Sequence, residues 1–221
     1  MGAGASSAPA GMGQMNAVAN TLRVEGLACE RGTRMLFRGL DFGLSAGEWL
    51  HVRGANGAGK TSLLRLLAGL AVPHDGVVRW NGSELARAGD DFRGAVLYLG
   101  HRSGLKEDLS ALENLRLAAA LDGQHLDEVP VLKALARLGL RGREDLPLRA
   151  LSQGQHRRAL LARLLLRPAA LWILDEPLSA LDTSAVDLIG ELVEEHLHAG
   201  GLAVLTSHQT IGLSGGRELD L

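Results

Sequence analysis

The stretch Gly54-Ala55-Asn56-Gly57-Ala58-Gly59-Lys60-Thr61 constrains this chain more than any other, because it matches the spacing G-x-x-x-x-G-K-[ST] at every fixed position. Its surroundings give that spacing a structural meaning. Trp49 to Val52 reads as a short strand entering the loop, and Ser62 to Ala68 as a helix leaving it. Glycines at 54, 57 and 59 let consecutive backbone N–H groups turn inward on an anion, and the positive end of the following helix dipole points at the same spot. In that setting Lys60 lies along the β- and γ-phosphates as a point charge, and the Thr61 hydroxyl takes one place in the octahedral shell of Mg²⁺. An α/β fold with a nucleoside triphosphate at the carboxyl end of a strand follows.

The flanking patterns extend that core. Leu22 to Leu27 and Leu36 to Leu44 alternate like half-buried strands around the turn Arg31-Gly32-Thr33, a β-rich entry to the nucleotide site. Leu63, Leu64, Leu66, Leu67 and Leu70 cover more than one helix face, which predicts burial, with Gly69 near the helix end. Pro73 to Gly76 reads as a turn before a strand over Val77–Trp80, and Ala95 to Leu99 as a strand buried on both faces. Between about 102 and 167 the pattern becomes helical. Ser110 and Glu113 have capping-box spacing ahead of a stripe of Leu112, Leu115, Ala119 and Leu121. Leu132, Leu135 and Leu138 mark a second helix closed by Gly139, and a third opens at Ser152 and stops at Pro168. The sheet resumes with Leu171 to Asp175; a helix carries Val186, Ile189, Val193 and Leu197; the last strong strand is Leu202 to Thr206. Residues 1–20 lack both a basic start and an apolar block, and read as a disordered leader rather than a signal peptide.

Composition narrows the function classes. A formal net charge of −2 and 3% aromatic residues give no reason to expect nucleic acid as a partner. The single cysteine, Cys29, rules out an internal disulfide and a Cys-rich zinc site. No apolar run approaches the ~20 residues needed to cross a bilayer, since Arg65 and Arg163 interrupt the leucine-rich stretches. His196 and His198, among glutamates, read as a solvated helix face.

Three further positions fall at the carboxyl ends of strands, where ligands of parallel sheets collect. Asp175 ends an apolar strand as a carboxylate for Mg²⁺ should, and Glu176, one residue on, is the candidate for the hydrolytic water. His208 is placed to donate to the γ-phosphate. Leu151-Ser152-Gln153-Gly154-Gln155 is a helix amino terminus with a hydroxyl and a bare glycine, either a second anion site or an ordinary capped helix. As an anion site it is hard to bring onto the same γ-phosphate within one copy, whereas two copies head to tail can do so.

Taken in order, these motifs resemble the ATPase subunits of ABC transporters over residues 21–221. The phosphate loop, the LSGGQ-like Leu151 to Gln155, the acid-ended strand Leu171 to Glu176, Ser179 to Asp182 and His208 all occur in that family's order. The resemblance implies a P-loop NTPase of the ABC ATPase type, with a mixed sheet core, an antiparallel β subdomain and a helical subdomain inserted at about 102–167. It implies ATP and Mg²⁺ as cofactors: Gly54, Ala55, Asn56, Gly57, Ala58, Gly59 and Lys60 on the phosphates, Thr61 and Asp175 on the metal, and Lys60, Glu176 and His208 in catalysis. Ser152 and Gly154 complete the site of a second protomer in a head-to-tail homodimer.

Tyr98 to Lys106, Leu109 to Leu115 and Leu151 to Arg158 are similar to the ATPases of the bacterial cytochrome c maturation system. That implies a peripheral protein at the cytoplasmic face of the inner membrane, with a multi-spanning membrane subunit and haem-handling maturation proteins as partners. An ABC exporter ATPase for a lipid, peptide or drug shares the same motifs and is the alternative. A soluble DNA-repair or ribosomal ABC protein usually carries two cassettes or a long insertion, and neither is present. Three departures stand out: His101 replaces a glutamine, no adenine-stacking aromatic lies near Arg31, whose guanidinium is the substitute, and the chain ends soon after His208 as a minimal cassette.

Overall fold

The computed structural model describes residues 20–101, 104–209 and 212–221. The leader read over residues 1–20 lies outside the described residues except for Asn20, as do Arg102 and Ser103 at the start of the helical stretch.

Strands β1 (Thr21–Arg31) and β2 (Arg34–Ser45) form an antiparallel hairpin with Thr21 opposite Ser45 and Arg31 opposite Arg34. Strand β3 (Trp49–Arg53) runs into the phosphate loop, and helix α1 (Lys60–Leu67) leaves it. Strands β4 (Asp75–Trp80) and β5 (Ser83–Glu84) return to the antiparallel layer, giving the order β2-β1-β4-β5. Helix α2 (Leu85–Ala95) leads to strand β6 (Val96–Leu99). Helices α3 (Ala111–Leu121), α4 (Glu128–Arg137), α5 (Gln153–Leu161) and α6 (Arg163–Leu166) follow, with a 3-10 turn at Leu148–Ala150 before α5. Strand β7 (Leu171–Leu174), helix α7 (Thr183–His198), strand β8 (Leu202–Thr206) and strand β9 (Arg217–Asp220) complete the chain. The second sheet has the order β6-β7-β8-β3-β9, every neighbouring pair parallel. Antiparallel and parallel strands thus segregate into two layers.

Period-2 geometry explains why β7 and β8 are apolar at every position. Leu171, Ile173, Leu202 and Val204 face one core, shared with α1 and the antiparallel sheet, while Trp172, Leu174, Ala203 and Leu205 face another, shared with α3, α4, α5 and α7. With both faces covered, the sheet's carboxyl edge stays open to ligand, and β3, β7 and β8 all end there.

Several expectations need correction. Strand β6 is not buried on both faces: it pairs only with β7 among the described residues, so Val96 and Tyr98 are half-buried while Leu97 and Leu99 are buried. Leu121 is 80% exposed; nine residues beyond Leu112, it lies about 180° around the helix from the buried stripe. Leu70, past the end of α1, is also exposed. The turn read over 73–76 is shorter, because Asp75 already pairs with Ala28 on β1. His196 is not on a solvated face: its ring stacks on Trp172 with centroids 3.9 Å apart and planes 3° from parallel.

Candidate functional site

The loop after β3 is held open by its glycines. Gly54, Gly57 and Gly59 have φ of 140°, 81° and 114°, in the region that disfavours side chains. A Cβ at Gly59 would come within 3.2 Å of Leu36 and the Phe37 ring, and one at Gly54 within 2.9 Å of the Leu221 carbonyl, so two glycines are packed from behind. Gly57 meets nothing within 4 Å and faces open space. Lys60 folds back so that its Nζ donates to the carbonyls of Gly54 (2.7 Å) and Ala55 (3.3 Å), placing the ammonium at the loop. No side chain caps α1, whose N-cap is Gly59, which leaves the positive helix end for a ligand.

Opposite the loop, the strand ends build a chain of oxygens. Asp175, 2% exposed, accepts through Oδ2 from Thr61 Oγ1 (2.8 Å) and through Oδ1 from Thr206 Oγ1 (2.9 Å). The Glu176 N–H donates to the same Thr206 hydroxyl at 2.8 Å. Glu176 has φ of 52°, a conformation that costs a non-glycine residue on the order of 1–3 kcal/mol and persists only where surroundings enforce it. Its Oε1 is buried without a hydrogen-bond donor among the described residues and lies 3.4 Å from His208 Nε2. An unfilled acceptor of that kind has room in its hydrogen bonding for a water molecule.

These groups converge on one cleft of about 440 Å³, lined by Ala55, Asn56, Gly57, Gly59, Lys60, Thr61, Asp175, Glu176 and His208 together with Arg31 and His101. Gly54 lines a separate cleft of about 690 Å³ on the other side of Lys60, which lacks Thr61 and both acids. The smaller cleft is therefore the candidate site. Thr61 and Asp175 supply only oxygens, the donor type Mg²⁺ takes alongside phosphates and water, so the donor set fits that ion.

Ser152 and Gly154 do not line this cleft. Ser152 caps α5: its Oγ accepts from the Gln155 N–H (3.3 Å), while Gln155 Oε1 accepts from the Ser152 N–H (3.0 Å). Gly154 packs so tightly that a Cβ would lie 2.7 Å from the Ala180 carbonyl.

Two residues at the site escaped sequence reasoning. Thr206, fully buried, organises both acids; its signal is a hydroxyl closing an otherwise apolar strand. Arg157 is buried and donates to the carbonyls of Asp175 (2.8 Å), Glu176 (2.5 Å) and Pro177 (3.1 Å). Burial pushes its pKa below the usual guanidinium value, with Asp175 and Glu176 pulling the other way.

A glycine loop between a parallel strand and an uncapped helix, faced by an acid pair two strands away, defines a P-loop nucleotide-binding domain. The family model described as ABC transporter matches residues 37–179, and the chain belongs to the ABC transporter family, in the branch of the CcmA proteins. One relative, the cytochrome c biogenesis ATP-binding export protein CcmA of Nitrosospira multiformis, is 54% identical over 88% of this chain and 95% of its own length. The protein of the same name from Escherichia coli O157:H7 is 48% identical over 87% of this chain and 91% of its own. Among solved structures, an ABC transporter ATP-binding protein from Pyrococcus furiosus superposes with a TM-score of 0.79 at 23% identity, covering 91% of this chain and 97% of that one. A dimeric ATP-binding cassette, solved in a post-hydrolysis state with ADP and Pi, gives 0.74 at 20% identity over 85% of this chain and 88% of that one. At those identities the structures speak to the fold.

Proposed function

We propose that this chain is the ATP-binding and ATP-hydrolysing subunit of an ABC transporter complex serving cytochrome c biogenesis at the cytoplasmic face of the bacterial inner membrane. The biological role rests on relatives at 48–54% identity that carry cytochrome c biogenesis and export in their names. The chemistry rests on one observation: a buried carboxylate oxygen without a donor, Glu176 Oε1, set beside the phosphate loop by a chain of hydroxyls.

In this reading the loop from Gly54 to Gly59 and Lys60 bind the phosphates of ATP. Thr61 and Asp175 would hold Mg²⁺, which when bound would neutralise charge on the phosphate oxygens. Glu176 Oε1 accepts a hydrogen bond from the attacking water and draws its proton as the water oxygen bonds to the γ-phosphorus and the bond from that phosphorus to the β–γ bridging oxygen breaks, giving ADP and phosphate. His208 donates to the γ-phosphate. Arg31, lining the same cleft, stacks on the base in place of an aromatic ring.

Ser152 and Gly154 lie off their own chain's cleft, so we assign them to the nucleotide of a second protomer arranged head to tail. Among the described residues no helix is long and apolar enough to cross a membrane. We assign the membrane pathway to a separate multi-spanning subunit, and delivery of haem to haem-handling maturation proteins.

Glu176→Gln tests the assignment, since it keeps the size of the side chain and removes its charge. ATP binding should persist, phosphate release should stop, and ATP-bound dimers should accumulate by light scattering. Phosphate release at the wild-type rate would remove Glu176 from the chemistry.

A further inference from the structure

We infer that Arg157 is a positioning residue for the reaction: its one guanidinium holds the turn that presents Glu176 and registers that turn against the amino end of α5. The inference rests on the role proposed above for Glu176 and deepens it.

The last ladder contact of this segment is the Asp175 N–H to the Leu99 carbonyl, 2.8 Å. Beyond it the carbonyls of Asp175, Glu176 and Pro177 leave the sheet in quick succession while the chain passes through the left-handed conformation of Glu176. All three turn onto Arg157, which donates from Nε to Pro177 and from Nη2 to both Asp175 and Glu176. The planar fork of a guanidinium, with five donors in fixed directions, suits three carbonyls that diverge; an ammonium offers three donors from a single point. Arg157 is 9% exposed, and apart from it the Glu176 carbonyl accepts from the Ser179 N–H at 3.2 Å.

The other end of the same residue belongs to α5. Two more contacts tie α5 to the segment after Glu176: Gly154 lies directly on the Ala180 carbonyl, and Arg158 pairs with Asp182, the N-cap of α7. A displacement of α5 is therefore passed to the Glu176 turn through the backbone carbonyls. The carboxylate side chain, which faces the cleft, is left free to work. Ser152 and Gly154, assigned to the partner's nucleotide, open the helix whose fifth residue is Arg157.

The test uses the full chain and the variants Arg157→Lys and Arg157→Ala, with ATP affinity measured by titration of a fluorescent nucleotide, turnover by phosphate release, and folding by thermal melting. Both variants should bind ATP within about twofold of wild type, because the phosphate loop is untouched, yet lose on the order of 10²-fold in kcat through misplacement of Glu176. Low-millimolar guanidinium chloride should restore part of the turnover of Arg157→Ala and leave the wild type unstimulated, since free guanidinium replaces the hydrogen bonds but not the tether to α5. An unchanged kcat in either folded variant would overturn the inference, as would affinity and turnover falling together with the melting temperature. A folded Arg157→Ala that guanidinium does not rescue would overturn the hydrogen-bonding role, and one it rescues completely would overturn the tether. Should Arg157→Ala fail to fold, Arg157→Lys carries the test through its affinity and kcat. Glu176→Gln separates the two claims: if it is inactive while the Arg157 variants keep full turnover, only this inference falls; if it hydrolyses normally, the role of Glu176 itself falls.

Discussion

A single imidazole shows how position overrides the bland reading of a residue type. His196 sits among glutamates in sequence, yet its ring is pressed between Trp172 and the backbone of Gly201, where a Cβ would come within 2.2 Å of the ring. Its Nε2 is 3.1 Å from the Leu202 carbonyl; a carbonyl only accepts, so that nitrogen carries the proton. Burial pushes the His196 pKa below the usual histidine value, against smaller upward pulls from the Leu202 and Ala170 carbonyls. The sign follows: the unfolded chain binds this proton at about pH 6.5, the folded chain only at lower pH, so stability is whole above about 6.5 and is lost as pH falls through the folded value. Melting curves between pH 7 and 5 should show the wild type losing more stability than His196→Phe, which keeps the stack on Trp172 without a titrating group. Parallel losses in the two proteins would clear His196 of the effect. The phosphate loop and acid pair were legible because their spacing is itself the chemistry. Arg157 was not, because its spacing in the stretch Leu151 to Arg158 does not reveal the turn at 175–177 laid against it.

Elements were legible in proportion to how fully they are buried. β7 and β8, covered on both faces, announce themselves as unbroken apolar runs. Helix α2 did not, since it buries only Phe92, contains Gly89 and Gly94, and kinks at Gly89, where φ is 53°. Strand β9 escaped as well: Arg-Glu-Leu-Asp has one half-buried apolar residue, and pairing with β3, not periodicity, makes it a strand. The antiparallel layer depends on a close backbone approach that no pattern reveals. At Gly76, φ is 79° and a Cβ would fall 2.4 Å from the backbone of Gly26, across the point where β4 passes the bulge in β1. Gly82 has a similar φ of 81° but open space around it. Gly76→Ala should therefore destabilise the protein by the conformational strain plus an overpacking cost of about 1–3 kcal/mol, and Gly82→Ala by the strain alone. Urea unfolding of both variants decides it, and equal losses would mean the two backbones have room to part.

At the scale of the whole molecule the proposed site is divided. The cleft of one chain gathers the loop, the Thr61 and Asp175 oxygens, Glu176 and His208, while Ser152 and Gly154 stand away from it on α5, Ser152 capping its own helix and Gly154 packed on Ala180. The order of these motifs was legible, and with it the expectation that one copy cannot easily bring both onto the same phosphate; the packing of Gly154 against the Ala180 carbonyl was not, because spacing along a sequence does not report a contact across the fold. A centre assembled from two chains makes turnover depend on encounter. Mass action then requires that, well below the dimer dissociation constant, the rate per chain rise with chain concentration at saturating ATP and level off as dimers fill. Dilution should lower that rate, and Glu176→Gln, expected to hold ATP without releasing phosphate, should dimerise with ATP at concentrations where the nucleotide-free wild type stays monomeric. A rate per chain that stays flat across the whole dilution series, on material that light scattering shows to be monomeric, would mean that one copy holds the complete reaction centre and that Ser152 and Gly154 serve only to start a helix.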